Sequence, residues 1–154
     1  MMMRLCCDVL KLLGGKTLVT AESCTGGGIG AALTAIPGSS KVYKGGIISY
    51  TNDVKIGQLG VDPELLNAFG AVSAPVAESM AIGARRALAA DIAVSVTGLA
   101  GPDGDDFGNS VGTVFVGYAD SKITVSRKYS FCGSREDVRS QAIIAALSLI
   151  IEKN

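Results

Sequence analysis

The chain reads as a three-layer α/β/α sandwich built on a mixed, mostly parallel sheet, and three observations predict it. Short apolar strands alternate with helical stretches in the order αβαβααβββα. Glycine-rich segments follow directly on apolar strands at 24–30 and 98–104, where open α/β sheets place their ligand loops. The last two strands are joined by a short turn, so they pair antiparallel and make the sheet mixed.

The elements follow in order. "MMMRLCCDVLKLLGG" carries Leu5, Val9, Leu12 and Leu13 at helical spacing, with Asp8 and Lys11 interrupting the apolar run. It predicts a docked amphipathic helix and not a signal peptide. "KTLVTAES" is a short buried strand, and residues 26–36 form a helix of small side chains closed by Pro37-Gly38. A second strand covers 42–51, with Gly45-Gly46 marking a bulge or a close approach. "NDVKIGQLG" is one helical turn or two, and Asp62-Pro63 opens a short helix with Asp as cap. Residues 73–90 form a helix with Ser73 as N-cap and Val76, Met80, Ala84 and Leu88 on one face. "DIAVSVTG" is an alternating strand. "VGTVFVGYAD" and "KITVSRKYSF" form a hairpin around Asp120-Ser121. Ser134 with Asp137 resembles a capping box for a last helix whose inner face carries Val138, Ala142, Ala145 and Leu149. No linker or repeat divides residues 1–154, so a single domain is expected.

Composition narrows the function classes. With 14 basic and 14 acidic side chains, nothing favours an electrostatically driven nucleic-acid binder. No apolar run approaches the roughly 20 residues of a membrane span, so no membrane partner is expected. Cys6 and Cys7 are adjacent, Cys24 and Cys132 are isolated, and there is no histidine. That pattern suits neither a zinc site nor a disulfide framework, and predicts a reduced, cytoplasmic protein.

The stretch "TLVTAESCTGGGIG" (17–30) is the first candidate site. Gly26, Gly28 and Ala31 fit G-x-G-x-x-A, but the acidic residue a dinucleotide fold needs about 20 positions on is misplaced, since Asp53 comes late. Free N–H groups and the helix dipole over Thr25, Gly26, Gly27 and Gly28 would attract an anion; the alternative is tight packing on the sheet. Ser23 sits where a nucleophile can be both exposed and rigidly held, with backbone N–H groups after it to hold an oxyanion. Its alternative role is N-cap of the glycine helix.

Without histidine the Ser-His-Asp arrangement is impossible, which leaves Lys, Tyr, Asp or Glu as the base, and a lysine lowered in pKa by burial or neighbouring cations is the known substitute. "SYTNDVK" offers Tyr50 and Lys55, which could equally be a strand aromatic and a surface lysine. Cys24 is the rival nucleophile or a small buried side chain.

In "VTGLAGPDGDDFGNSVGTV", Thr97, Gly98, Ala100 and Gly101 follow a strand that would end near the first turn. Asp103, Asp105 and Asp106 lack calcium-loop spacing and read as solvated, so no metal is expected. Arg135 and Arg139 lie near the start of the last helix, where cations oppose the dipole unless an anion compensates. Pairing with Glu136 or Asp137 is the alternative.

Together "AESCTGG", "YTNDVK", "TGLAGPDG", "VGTV" and "SREDVR" resemble the C-terminal domain of the CinA (competence/damage-inducible) family, from about Leu18 to Leu147. That family is similar to bacterial amidohydrolases that convert nicotinamide mononucleotide to nicotinate mononucleotide and ammonia. The resemblance implies Ser23 as nucleophile, Tyr50 and Lys55 as its activators, Thr97 in the TGxAG loop, and Arg135 and Arg139 on the last helix. It implies a pyridine nucleotide as small-molecule partner and no cofactor. The pattern usually has Pro before VGTV, where this chain has Ser110. Many members carry a further N-terminal domain of pyrophosphatase type, for which 154 residues leave no room, so a stand-alone form is expected. The expected mechanism is an acyl-enzyme on Ser23, with the glycine turn (Cys24, Thr25, Gly26, Gly27) and the loop at Thr97, Gly98 and Gly101 around the substrate. The phosphate would fall to the glycine amides, Arg135 or Arg139. A nucleotide-binding regulatory domain without turnover is the alternative function. A homo-oligomer is expected, since small α/β enzymes often shelter a site at a subunit interface.

Overall fold

The computed structural model describes all of residues 1–154. Five strands, β1 (Leu18–Glu22), β2 (Tyr43–Ile48), β3 (Ile92–Gly98), β4 (Thr113–Ala119) and β5 (Thr124–Ser130), form one sheet in the order β2-β1-β3-β4-β5. β1 pairs parallel with both β2 and β3, whereas β3–β4 and β4–β5 are antiparallel. Only β4 therefore runs against the other four strands, which makes the sheet mixed and mostly parallel.

The helices cover both faces because the strand side chains alternate. Leu18, Ile92, Val94 and Val96 share a core with α1 (Met2–Leu12), α2 (Gly28–Thr34) and α6 (Arg135–Lys153). Val19, Ala21 and Ala93 face the other way, onto α3 (Asn52–Leu59), α4 (Pro63–Phe69) and α5 (Ala74–Ala87). β1 and β3 are buried along nearly their whole length, as central strands covered on two faces must be. Fully buried side chains such as Ile29, Leu33, Ile92 and Met80 each contribute about 1.5–3 kcal/mol relative to exposure.

Most expected boundaries hold, and the departures have physical causes. "NDVKIGQL" makes a two-turn helix, α3, so three helices separate β2 from β3. β2 stops at Ile48; Ser49 N–H still donates to Glu22 O at 2.8 Å before the chain turns into α3. Its register shifts between Leu18 and Val19, next to Gly45. A Cβ on Gly46 would lie 2.3 Å from Thr20 Oγ1, so the close approach is real. Asp62 caps α4 through Glu64 N at 2.9 Å, and Ser134 with Asp137 forms the capping box of α6. Ser73 stands at the N-cap of α5 but donates its hydroxyl to Gly70 O at 2.8 Å, so it caps nothing. Leu88 lies at the end of α5 and is only half-buried. No helix is long and apolar enough to cross a membrane, and all four cysteines are unpaired.

Candidate active site

The three parallel strands end side by side, and their C-terminal ends supply the site. Glu22 of β1 pairs in register with Ile48 of β2 and Val96 of β3. The next residues of each strand are the quoted motifs: Ser23 and Cys24, then Ser49 and Tyr50, then Thr97 to Gly101. A cleft of about 300 Å³ opens at this edge, lined among others by Ser23, Tyr50, Lys55, Thr97, Asp103 and Arg135.

Ser23 N–H donates to Val96 O at 3.0 Å, which pins the residue to the end of β3. The N-cap of α2 is Gly27, four residues after Ser23, so Ser23 does not cap this helix. Lys55 is buried beside Ser23 and is not a surface lysine. Its side chain is 1% exposed, one turn from buried Leu59 on the inner face of α3. Lys55 Nζ donates to Ser23 Oγ at 3.1 Å, to Ser49 O at 2.8 Å and to Tyr50 O at 3.4 Å. No carboxylate lies within ion-pair distance of it. Burial lowers the ammonium from 10.5 to about 8, against a smaller upward pull from the Cys24 sulfur.

These partners dictate what the neutral amine does. Two of the three are carbonyl oxygens, which only accept. A neutral Lys55 keeps its two N–H bonds to Ser49 O and Tyr50 O, so its lone pair falls to the one partner able to donate, the Ser23 hydroxyl. The geometry is thus one in which a neutral Lys55 can accept the Ser23 proton without a histidine.

Tyr50 reaches the lysine only through its backbone carbonyl. Its ring is 56% exposed, and Arg135 Nη2 donates to its hydroxyl at 3.0 Å. Arg135 Nη1 also donates to Gly101 O, so this arginine ties together two loops at the cleft. Arg139, one turn on, is not in the cleft. Its Nε donates to Cys24 O at 3.1 Å and its Nη2 to Thr25 O at 3.2 Å. Thr97 lines the cleft with its Oγ1 proton already given to Ala71 O at 2.8 Å, leaving lone pairs only. Gly98 and Gly101 line it too.

The glycine turn departs from its expected role. Thr25, Gly26 and Gly27 do not line the cleft. Nor are the amides at the start of α2 open to a substrate phosphate. Ile29 N donates to Glu22 Oε1 at 2.8 Å and Gly30 N to Glu22 Oε2 at 3.1 Å, so a carboxylate of the chain itself occupies that place. Gly26 N and Gly28 N turn back to Ser23 O and Thr25 O. Gly26 and Gly27 have φ of +57° and +97°, a left-handed pair that only glycine adopts without strain. The N–H groups of Cys24 and Thr25 bond to no oxygen acceptor in the protein; Cys24, whose N–H lies against its own sulfur, lines the cleft beside Ser23, whereas Thr25 is fully buried. Burial raises the Cys24 thiol to about 11, more than the charges of Arg139 and Lys55 lower it, so the sulfur is a poor rival nucleophile.

Four residues of the site or its support are not marked by the sequence motifs. Asn52 lines the cleft, and its place three residues before Lys55 on one helix face was the available signal. Asp103 lines it as well, held there because its loop is not loose. Asp105, expected to be solvated, accepts from Phe107 N, Asn109 N and Asn109 Nδ2, and Asn109 Nδ2 also donates to Val72 O. Glu22 gave no signal beyond an acid in an otherwise apolar strand.

Residues 5–153 match the CinA C-terminal domain. A CinA-like protein of Endomicrobium trichonymphae is 46% identical over 144 residues, covering 94% of this chain and 34% of that protein. One of Thermosynechococcus vestitus is 47% identical over 138 residues, covering 88% and 33%. The chain thus spans about a third of the length of these relatives. Among solved structures, the competence damage-inducible protein A (ComA) of Klebsiella pneumoniae superposes with a TM-score of 0.96 at 34% identity, covering 99% of this chain and 96% of that one. The competence/damage inducible protein CihA of Agrobacterium tumefaciens does so at 0.94 and 37% identity, covering 98% and 94%.

Proposed function

The chain belongs to the CinA C-terminal domain family, and from that premise we propose that it is an amidohydrolase that deamidates nicotinamide mononucleotide to nicotinate mononucleotide and ammonia. The observation that carries the reading is the buried, unpaired Lys55 at 3.1 Å from Ser23 Oγ. A domain that only bound a nucleotide would have no use for a buried lysine without a counter-ion facing a serine hydroxyl.

Neutral Lys55 takes the Ser23 proton as Oγ attacks the carboxamide carbon. The C=O electron pair moves onto oxygen, where the N–H of Cys24, the cleft residue next to Ser23, receives it. The lysine ammonium returns its proton to the amide nitrogen, the C–N bond breaks and ammonia leaves. Water, deprotonated by the same lysine, then attacks the ester carbon and frees the nicotinate product and Ser23. With its ammonium at about 8, Lys55 is about one-tenth neutral at pH 7, enough for a working base.

Of the three places considered for the phosphate, the geometry supports Arg135, since Glu22 fills the glycine amides and Arg135 lines the cleft whereas Arg139 does not. Tyr50, bonded to Arg135, borders the same anion position and not the proton path.

The test is ammonia release from nicotinamide mononucleotide, in the presence of chelator, by wild type and Ser23→Ala. Release by wild type alone supports the reading. Release by both, or by neither while the mononucleotide still raises Tm, overturns it.

A further inference from the structure

Glu22 is a buried carboxylate that the mechanism does not use. It is 1% exposed, has no cationic partner, and immediately precedes the nucleophile. Alternation along β1 turns it to the face opposite Val19 and Ala21, toward α2. There it accepts four hydrogen bonds: from Thr25 Oγ1 at 2.7 Å, Ile29 N at 2.8 Å, Gly30 N at 3.1 Å and Thr20 Oγ1 at 3.2 Å. The Tyr43 hydroxyl stands 2.8 Å from Thr20 Oγ1 behind them. Buried charge on that scale is tolerated only when its lone pairs are satisfied, and these donors come from the strand, the turn and the helix at once.

Its two sides matter. Glu22 lines a cavity of about 200 Å³ beside β2, separate from the cleft that Ser23 lines. The carboxylate therefore touches no part of the proposed substrate position. What it does touch is the middle of the turn 23–27, through the Thr25 hydroxyl, and the first turn of α2 that follows it, through the N–H groups of Ile29 and Gly30. We propose that Glu22 is a positioning residue. It fixes this turn so that Ser23 Oγ stays on Lys55 Nζ and Cys24 stays at the cleft beside it. A glycine turn of this kind elsewhere closes around a phosphate; here a built-in carboxylate closes it permanently, and rigidity takes the place of ligand binding.

The proposal rests on the reading of Ser23 as nucleophile, so its test needs a readout independent of the substrate. The full chain is reacted with phenylmethanesulfonyl fluoride: Ser23 Oγ forms the S–O bond, fluoride leaves, and the hydroxyl proton goes to Lys55. Rate and final extent of Ser23 labelling are followed by mass spectrometry for wild type and Glu22→Gln. The same pair is assayed for ammonia release.

Gln keeps the length of Glu but offers an NH₂ where two donors need an acceptor. The expected result is full labelling at a rate about 10- to 100-fold slower, with kcat reduced alike and KM within about twofold. A merely structural role predicts the reverse, a reduced extent at the wild-type rate, because the folded fraction alone changes. An unchanged rate therefore overturns the proposal. Should Glu22→Gln not fold, Thr25→Val removes one of the four bonds and must slow labelling in the same sense; an unchanged rate there overturns it too. Wild type that is labelled but releases no ammonia removes the substrate assignment and leaves the Glu22 inference to be judged on labelling. Wild type that resists labelling overturns both.

Discussion

Arg135 and Arg139 stand one turn apart on α6 and face different tasks: Arg135 lines the cleft and holds the Tyr50 hydroxyl, while Arg139 binds the carbonyls of Cys24 and Thr25. One arginine faces the cleft, the other the turn. Arg135→Ala should raise KM for nicotinamide mononucleotide about tenfold or more, the scale of one charged hydrogen bond. It should leave the phosphate-free riboside unaffected. Arg139→Ala should instead lower kcat for both compounds. Steady-state kinetics on the two substrates check this; equal KM effects on both from Arg135→Ala would remove it from the phosphate.

The Lys55 ammonium, lowered to about 8 by burial, sets a pH dependence. Activity should climb about tenfold per pH unit below 8 and level off above it. Lys55→Arg keeps a cation that never deprotonates, and should abolish turnover at every pH. Stability follows the same group with a defined sign. The folded value lies below the ordinary 10.5, so the unfolded chain binds more protons between about 8 and 10.5. Lys55 therefore makes stability rise with pH across that window, and its cost is fully present below 8. Denaturant titrations of wild type and Lys55→Met at pH 7 and 10 should show that the difference between them changes in this direction.

Cys24 should be dispensable as a nucleophile. Its thiol, raised to about 11, is protonated at neutral pH. Cys24→Ala should keep kcat within about threefold, since a small side chain in the turn is all that is required. Iodoacetamide at pH 7 should modify exposed Cys132 well before Cys24. Loss of activity in step with Cys24 alkylation, with Cys132 already blocked, would favour the thiol.

A control belongs far from the cleft. Asp62→Ala removes the α4 cap, which accepts from Glu64 N at 2.9 Å, at a cost of about 1 kcal/mol. Tm should fall by about 2–4 °C with kcat and KM unchanged. Altered kinetics would mean that the α4 end and the cleft are coupled.

Local chemistry made much of this legible. Asp62-Pro63, Ser134 with Asp137 and the Asp120 turn are short-range signals, and each marks its element in the structure. The convergence of Ser23, Lys55 and Thr97 on one cleft was legible because parallel strands place their C-terminal ends together. The rest depended on distance. Arg135 and Tyr50 are 85 positions apart, so the tyrosine hydroxyl's partner could not be read from the "YTNDVK" motif. The glycine turn misled for a related reason. G-x-G-x-x-A advertises free amides, and only the fold shows that Glu22, seven residues before Ile29, already holds them. Asp103 and Asp105 have the same side chain in the same loop, yet one lines the cleft and the other braces the loop.

The central claim is that Lys55 can be neutral beside Ser23 near physiological pH. The most direct measurement is its titration by NMR, following the Cε or Nζ resonance of a selectively labelled chain between pH 6 and pH 11. The account predicts a midpoint of about 8 for Lys55, well below those of the exposed lysines. A midpoint above 10 would leave Ser23 without a base and contradict the account.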